Sequence, residues 1–249
     1  MIRTKHWHNF PTNLVREVLP RFTWAAVGED SPGVATAALM LYVVLRFMAD
    51  DLSNGQGGSA WVTRATYEEL GEAAGLSRTT IHAGLQRLQA EKLITAEGSH
   101  QKRRYRFAWS EPGWFKLPCL AIVTNNQVRP FQHFLLRSKH ELHAMKLYLY
   151  IAAVRPNKAL HTEVSYEKIH ERLGIPERDV RKAISLLLTS GLLASSNRDN
   201  VDGTSYGPNK YYLTGYRNIL RDFDVKAIED ADKTRRYEIK KQGFEDVLG

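Results

Sequence analysis

The sequence of 249 residues predicts a mainly α-helical α+β protein with small β-hairpins. Two observations predict this class. Blocks of apolar residues recur in the same order about 100 residues apart, and each set of blocks is typical of two amphipathic helices followed by two short strands. We therefore expect an internal duplication, with one domain over residues 1–109, a second over residues 110–220, and a charged, helical tail over residues 221–249.

The repeat is clearest at residues 67–76 and 166–175, which are 99 positions apart. Both segments begin with tyrosine, contain a glycine eight positions later, and carry apolar residues at matched core positions. The polar positions between these matches differ. This pattern is expected for two copies of one fold, because the core residues are retained while the surface residues differ.

The alignment extends upstream with a different offset. Residues 41–44 align with 147–150 at an offset of 106, and residues 7–11 align with 114–118 at an offset of 107. The fall from 106 to 99 means that the first copy holds seven additional residues between its first and second helices.

These additional residues lie at 53–59, where Ser, Asn and Gly predict a flexible loop. Beyond the helices the offset returns to 106, which pairs Tyr105 with Tyr211. The second copy is therefore expected to have the longer C-terminal hairpin. Both tyrosines are expected to pack within their hairpins rather than to stack on bases.

The composition excludes several classes of protein. The chain is 43% hydrophobic and 25% charged, as in ordinary soluble domains. The apolar run at residues 34–45 is too short to cross a bilayer, so we expect a buried helix, no membrane partner and a cytoplasmic location. The single cysteine, Cys119, excludes an intramolecular disulfide and is expected to be a small buried hydrophobe.

The charge is concentrated before the tail. The net charge is +8, from 35 Lys/Arg and 27 Asp/Glu. Residues 221–249 hold 7 basic and 8 acidic residues, so the two copies hold 28 basic and 19 acidic residues, a net of +9. A polyanion is expected to bind the repeats rather than the tail.

In the first copy, the local signals predict a helix, a tight turn and a second helix. Thr66 is a suitable N-cap for a helix over 67–74, Gly75 supplies a left-handed turn, and Ser77 caps the next helix. Gly84 permits close approach to another helix. Three apolar residues at helical spacing face the core: Ile81, Leu85 and Leu88.

A hairpin follows, with strands near 93–95 and 102–107 and a turn at Gly98 and Ser99. The stretch Leu-Gly-Glu-Ala-Ala-Gly-Leu-Ser-Arg-Thr-Thr-Ile at 70–81 resembles the winged helix-turn-helix of bacterial transcription regulators. The resemblance implies that the second helix enters the major groove of DNA and that the hairpin, or wing, contacts the backbone or minor groove.

Carried over residue by residue, this resemblance places the DNA-binding positions of the first copy on the second helix and on the wing. Arg78 is expected to contact guanine, whereas Ser77, Thr79 and Thr80 are expected to contact phosphates. Strand alternation separates Arg103 and Tyr105 from the face that carries Arg104 and Arg106. The full set is Ser77, Arg78, Thr79, Thr80, His82, Gln86, Lys102, Arg103, Arg104 and Arg106.

The second copy predicts the same geometry with other side chains. Ser165 caps a helix over 166–173, and Pro176 begins the next helix. Glu177 and Asp179 are expected to repel phosphate, so the first copy is expected to make the stronger electrostatic contact. The predicted DNA-binding residues are Arg178, Arg181, Lys182 and Ser185 on the helix, with Arg198 and Lys210 on the wing.

No catalytic motif is present, and we predict neither an enzyme nor a cofactor. The Gly-rich stretch at 55–58 lacks the lysine and the flanking elements of a phosphate-binding loop. His140 and His143 are one position short of the zinc-protease spacing, and the sequence indicates no third ligand, so no metal site is predicted. His6 and His8 are expected at a domain surface.

Two such units in one chain also resemble plasmid replication initiators, in architecture rather than in motifs. The leading hypothesis is a sequence-specific regulator that binds double-stranded DNA at an operator, with a homodimer possible. A plasmid or mobile-element initiator that binds origin repeats is the second hypothesis. A winged-helix factor for protein assembly is the third.

Overall fold

The first half of the chain places a long helix beside a helix pair and a four-stranded sheet. The computed structural model describes residues 1–24, 31–54, 58–98, 103–108, 113–200, 206–220, 223–234 and 238. A short π-helical turn and a 3-10 turn follow the first strand. The elements are β1 (Trp7–Pro11), α1 (Val34–Met48), β2 (Asp50–Asn54), β3 (Gly58–Ala65), α2 (Tyr67–Ala74), α3 (Arg78–Ala90), β4 (Ile94–Glu97) and β5 (Arg103–Phe107).

The second half follows the same order of helix, strand, two helices and hairpin. A small hairpin and a 3-10 turn precede its first helix. The elements are β6 (Trp114–Pro118), β7 (Val123–Thr124), β8 (Gln127–Val128), α4 (Lys139–Val154), β9 (Thr162–Val164), α5 (Tyr166–Leu173), α6 (Glu177–Ser190), β10 (Leu193–Asn200), β11 (Tyr206–Leu213) and α7 (Tyr216–Ile219).

The fold is therefore mixed α+β with small antiparallel sheets. The strand order is β2-β3-β5-β4 in the first half and β10-β11-β9 in the second. Each sheet places the strand that precedes the helix pair beside the last strand of the hairpin. The hairpin of the second half is the longer one, as the sequence predicts.

One buried hydrogen bond occurs at the corresponding place in both halves. Thr63 Oγ1 donates to the carbonyl oxygen of Leu45 at 2.7 Å, and Thr162 Oγ1 donates to that of Ile151 at 2.7 Å. The donors are 99 residues apart and the acceptors 106, the two offsets of the sequence alignment. Each bond satisfies a carbonyl in the last turn of a long helix, where intrahelical partners run out.

The helix ends follow the predicted caps. Thr66 and Glu69 form a reciprocal capping box at the start of α2, and the Ser165 hydroxyl accepts from the amide of Lys168 at the start of α5. Gly75 and Gly174 both adopt left-handed conformations, with φ of 71° and 66°. The predicted glycine turns are confirmed at these two positions.

A two-stranded sheet joins the halves. β1 pairs with β6 in antiparallel register, from Trp7 opposite Pro118 to Pro11 opposite Trp114. The alignment at an offset of 107 matches Asn9 with the residue that lies directly opposite it, Lys116. This aligned pair therefore lies at the centre of the two-stranded sheet. The indole rings of Trp7 and Trp114 stack beside it, 6.2 Å apart and 5° from parallel.

The buried residues of both halves form one continuous hydrophobic cluster. Every residue of α1 is buried, as predicted for the apolar run, and α1 packs against both α3 and α4. Tyr42 on α1 and Tyr148 on α4 are fully buried and 106 residues apart. Within the described residues, no helix combines the length and apolar character needed to traverse a bilayer.

Gly84 lies where α3 crosses α1. A Cβ atom at this position would lie 2.7 Å from Leu41 Cδ1 and 3.3 Å from the backbone nitrogen of Ala38. The absence of a side chain therefore allows the two helices to approach closely, as the sequence predicts. The corresponding residue of α6, Ala183, is also fully buried.

Two sequence predictions are wrong in this part of the molecule. The predicted loop at 53–59 contains strand residues, since β2 and β3 pair Ser53 with Ser59. β2 is an edge strand, and backbone pairing at an edge needs no alternation of apolar residues. His8 is buried rather than on the surface, with its ring 5.1 Å from that of Phe47, while His6 is half-buried.

The described part of the tail lies against the second half. Residues 225–234 are helical. Arg217 forms an ion pair with Glu229 at 2.7 Å, which ties this helix to the end of the second unit. The apolar residues of the junction are Leu160, Tyr212, Tyr216, Leu220, Phe223, Val225 and Ile228.

Candidate nucleic-acid interface

The outer face of α3 begins at a capped N-terminus. Ser77 Oγ accepts from the backbone amide of Thr80 at 3.3 Å and lies 2.8 Å from Thr80 Oγ1. These two hydroxyls therefore bond to each other and to the helix end. Thr79 is exposed between them, so it is the hydroxyl best placed to meet an external acceptor.

The outward residues of α3 are exposed, whereas its inward stripe is buried. Ile81, Leu85 and Leu88 lie in the core as predicted. Thr80 is half-buried. The other predicted positions are all exposed: Ser77, Arg78, Thr79, His82 and Gln86. The face can therefore contact a ligand without rearrangement of the core.

Tyr67 supports two of these outward residues. The Arg78 guanidinium lies 5.7 Å from the centre of the Tyr67 ring, and Tyr67 Oη lies 3.2 Å from His82 Nδ1. Tyr67 is the first residue of α2, so one side chain of the first helix orients two residues of the second. This role of Tyr67 was not predicted, although a tyrosine recurs at the aligned position, Tyr166.

The first hairpin places arginines on both of its faces. Tyr105 and Phe107 are buried, whereas Arg104 is half-exposed and Arg106 is exposed on the opposite face. Arg103 is half-buried at the start of β5. This agrees with the predicted alternation. The predicted residue Lys102 lies outside the described residues.

A further arginine, missed by the sequence analysis, joins this surface. Arg64 on β3 lies directly opposite Arg104 on β5 and is exposed. Glu97 on β4 lies opposite Arg104 from the other side. The one carboxylate of Glu97 balances only one of the two arginines, so this surface has an excess of positive charge. The two like charges on adjacent strands also repel each other. Such a surface favours an anionic partner.

The outer face of α6 is more cationic than that of α3. All four residues predicted to bind DNA are exposed: Arg178, Arg181, Lys182 and Ser185. Glu177 is also exposed. Asp179 is not on this face, because it is 5% exposed and lies 2.8 Å from Lys139 Nζ on α4. The expectation that Asp179 repels phosphate is therefore wrong.

Of the two basic residues predicted to bind DNA from the second hairpin, one is exposed to solvent and the other is buried. Arg198 is exposed and pairs with Asn209 across β10 and β11. Lys210 is buried, and its Nζ lies 3.6 Å from Glu163 Oε1 on β9. Lys210 was predicted to bind DNA from the wing, but it lies on the central strand of its sheet, where a neighbouring carboxylate balances its charge. Lys210 is therefore removed from the candidate DNA-binding set.

The hairpin tyrosines belong to the core. Tyr105 and Tyr211 are fully buried. Burial raises the pKa of Tyr105 to about 12 and also raises the pKa of Tyr211. Neither ring is available for stacking on bases. Cys119 is likewise buried, as predicted, and burial raises the pKa of its thiol to about 12.

Taken together, the exposed side chains offer hydrogen-bond donors and positive charge on two helices and two hairpins. Such groups can bind phosphates and the acceptor atoms of base edges. Comparison with known proteins adds no family to this description. No family model matches the chain, and no curated protein matches it significantly.

Proposed function

We propose that the chain consists of two winged-helix units and binds double-stranded DNA in a sequence-specific manner, as a regulator at an operator. In this proposal α3 and α6 enter major grooves. The hairpins β4–β5 and β10–β11 are the wings. The single observation that carries the proposal is the recurrence, in both halves, of a helix pair whose second helix has a buried inner stripe and an exposed polar or basic outer face.

The chemistry of the outer faces supports DNA over a neutral partner. Arg78 on α3, and Arg178 and Arg181 on α6, can each make the paired hydrogen bonds that guanine accepts. Arg104 and Arg106 on the first wing can contact phosphates, together with Arg64 on the adjacent strand β3. Arginine suits both tasks because its planar group presents several donors in fixed directions.

A specific observation also favours the second candidate, a replication initiator of a plasmid or mobile element. The β1–β6 sheet and the continuous core connect both helix pairs within one chain. A monomer therefore carries two unlike recognition helices and suits one asymmetric site, of the kind that is repeated at an origin. A regulator would be expected to bind one or two sites near its own gene, and an initiator several direct repeats.

The wing is tested by measuring affinity for a random duplex over a series of salt concentrations. Changing Arg64, Arg104 and Arg106 to Gln should weaken binding to all sequences and flatten the slope of log K against log salt by roughly one unit per lost phosphate contact. The matched control is Arg16→Gln, an exposed arginine on the turn after β1.

The same experiment distinguishes the third hypothesis. A protein-assembly factor should show no salt-dependent affinity for DNA. If the wild type binds no duplex at low salt, or if the triple variant and the Arg16 variant have the same slope as the wild type, the proposed role of the first wing is wrong.

A further inference from the structure

Three side chains with metal-ligating groups meet beside the first turn of α6. His140 and His143 lie one turn apart on α4, and Asp179 faces them from α6. One ligand atom from each residue lies within 4.8 Å of the other two, and His143 Nδ1 is 4.0 Å from Asp179 Oδ2. Among the described residues, this is the one group of three such side chains that converges in this way.

The cluster contains buried polar atoms without ordinary partners. The Nδ1 atoms of His140 and His143 are buried, and no described residue forms a hydrogen bond with either of them. Asp179 is 5% exposed, and its carboxylate is balanced by Lys139 Nζ at 2.8 Å. Burying a polar atom without a partner is unfavourable, so a group that bonds to these nitrogens would stabilise the site.

The protonation states suit a cation. Burial lowers the pKa of His143 to about 4 and also lowers the pKa of His140. Neutral imidazole is the form in which histidine binds metals. The hydrogen bond from Lys139 lowers the pKa of Asp179, so its carboxylate is ionised.

We propose that His140, His143 and Asp179 bind a divalent transition metal ion, with Zn²⁺ as the best fit. Two imidazoles and one carboxylate favour Zn²⁺, Co²⁺ or Ni²⁺ over Ca²⁺ or Mg²⁺, which prefer oxygen ligands. Zinc bonds of about 2.0–2.1 Å in a tetrahedron separate neighbouring ligand atoms by about 3.3 Å. The 4.0 Å between His143 Nδ1 and Asp179 Oδ2 is longer than this, so metal binding would require these two side chains to move closer together.

Lys139 Nζ lies 2.8 Å from Asp179 Oδ2, so its ammonium group would compete with a metal ion for that oxygen. Its side chain is 42% exposed, so it can move into solvent when an ion binds Asp179. The ion would connect α4 to the first turn of α6, next to Arg178 on the outer face. Metal binding is independent of DNA binding, and each can fail without the other. The sequence analysis rejected a metal site because the third ligand lies on a different helix.

The test is a titration of the untagged, chelator-treated full chain with Co²⁺, followed by visible absorption. We expect one saturable d–d band for one equivalent of metal. His143→Ala and Asp179→Asn should abolish the band, whereas His133→Ala, which changes an exposed histidine outside the cluster, should not. Lys139→Met should shift the midpoint to lower metal concentration, because it removes the competing cation.

A second measurement covers the possibility that a ligand variant fails to fold. Zn²⁺ should raise the thermal unfolding midpoint of the wild type, and the rise should increase with metal concentration. Circular dichroism identifies any variant that is unfolded. Absence of both the Co²⁺ band and the Zn²⁺ shift in the wild type would overturn the proposal, as would an unchanged band in folded forms of both ligand variants.

Discussion

At the level of single residues, the contact between Tyr67 and Arg78 gives the outer face of α3 a defined shape. Tyr67 touches Arg78 through its ring and His82 through its hydroxyl. An arginine that already rests on an aromatic ring loses less conformational freedom when it binds. If α3 binds DNA as proposed, Arg78 is the residue of this helix that we expect to read a base.

Replacing Arg78 with Ala is expected to reduce discrimination between the preferred duplex and a random one by about 1–3 kcal/mol. Binding to the random duplex should change little, because that affinity depends mainly on phosphate contacts. Competition binding with both duplexes measures the difference, and Arg16→Ala is the control. Equal losses on both duplexes would show that Arg78 does not read bases.

His8 is expected to make the protein less stable in acid. Burial lowers its pKa from 6.5 to about 4, so the folded state keeps the ring neutral while the unfolded state takes up a proton below pH 6.5. Its contribution to stability is complete above pH 6.5 and is lost as the pH falls towards 4. Between pH 6.5 and 5 the loss is about 1–2 kcal/mol.

Denaturant unfolding of the wild type and of His8→Gln at both pH values measures this effect. Glutamine keeps a donor for the carbonyl oxygen of Arg3, which lies 2.9 Å from His8 Nε2, but it does not titrate. The variant should therefore lose less stability on acidification than the wild type. A pH dependence identical to that of the wild type would contradict the assignment.

Local signals in the sequence predicted some of these residues and not others. Gly75 and the cap at Ser77 were predictable because their roles depend on the neighbouring few residues. Arg64, Asp179 and Lys210 were missed or misplaced because their surroundings depend on strand pairing and helix facing. The ion pair between Lys210 and Glu163, for example, requires β9 to lie beside β11.

At the level of elements, the crossing of α1 and α3 determines where the outer face of α3 points. Gly84 packs directly against Leu41 and the backbone of α1, and this close contact restricts the position of α3 relative to α1. Close packing of this kind tolerates little additional volume. The position of the helix thus depends on one residue without a side chain.

Gly84→Ala is expected to lower the free energy of unfolding by about 1–2 kcal/mol. Overpacking against Leu41 typically costs about 1–3 kcal/mol, and part of this is offset by the higher helix propensity of alanine. Thermal and chemical denaturation measure the change. Gln86→Ala, on the exposed face of the same helix, should stay within about 0.5 kcal/mol of the wild type. A stabilised Gly84→Ala protein would contradict the described packing.

The helices were more predictable than the strands. α1, α2, α3, α5 and α6 follow from apolar periodicity and caps, which are properties of a continuous segment. β2 and the hairpin β7–β8 were missed because both are short or lie at an edge, and both contain asparagine, which is uncommon in strands. Their pairing is stabilised by backbone hydrogen bonds that any sequence can form.

At the level of the whole molecule, the two halves pack directly against each other and are not connected by a linker alone. Their contact includes the β1–β6 sheet, the packing of α1 on α4, and a buried lysine. Lys146 Nζ on α4 donates to the carbonyl oxygens of Phe22 and Leu173, at 3.1 and 2.7 Å. These contacts join residues that are far apart in the sequence, so the periodicity of a single segment could not predict them.

We expect the two halves to unfold together in one cooperative transition. The continuous core means that unfolding either half exposes apolar surface of the other. Far-ultraviolet circular dichroism reports helices of both halves, and tryptophan fluorescence reports mainly the first half and the β1–β6 sheet. Coincident denaturation curves are expected, whereas two separated midpoints would show that the halves are independent.

The central claim is that both helix pairs read DNA together, and selection of bound duplexes from a random pool at physiological salt tests it most directly. The account predicts enrichment of a motif with two unlike half-sites whose centres lie about 10–10.5 base pairs, or a multiple of that spacing, apart. Recovery of DNA without an enriched sequence, or no recovery at all, would contradict it.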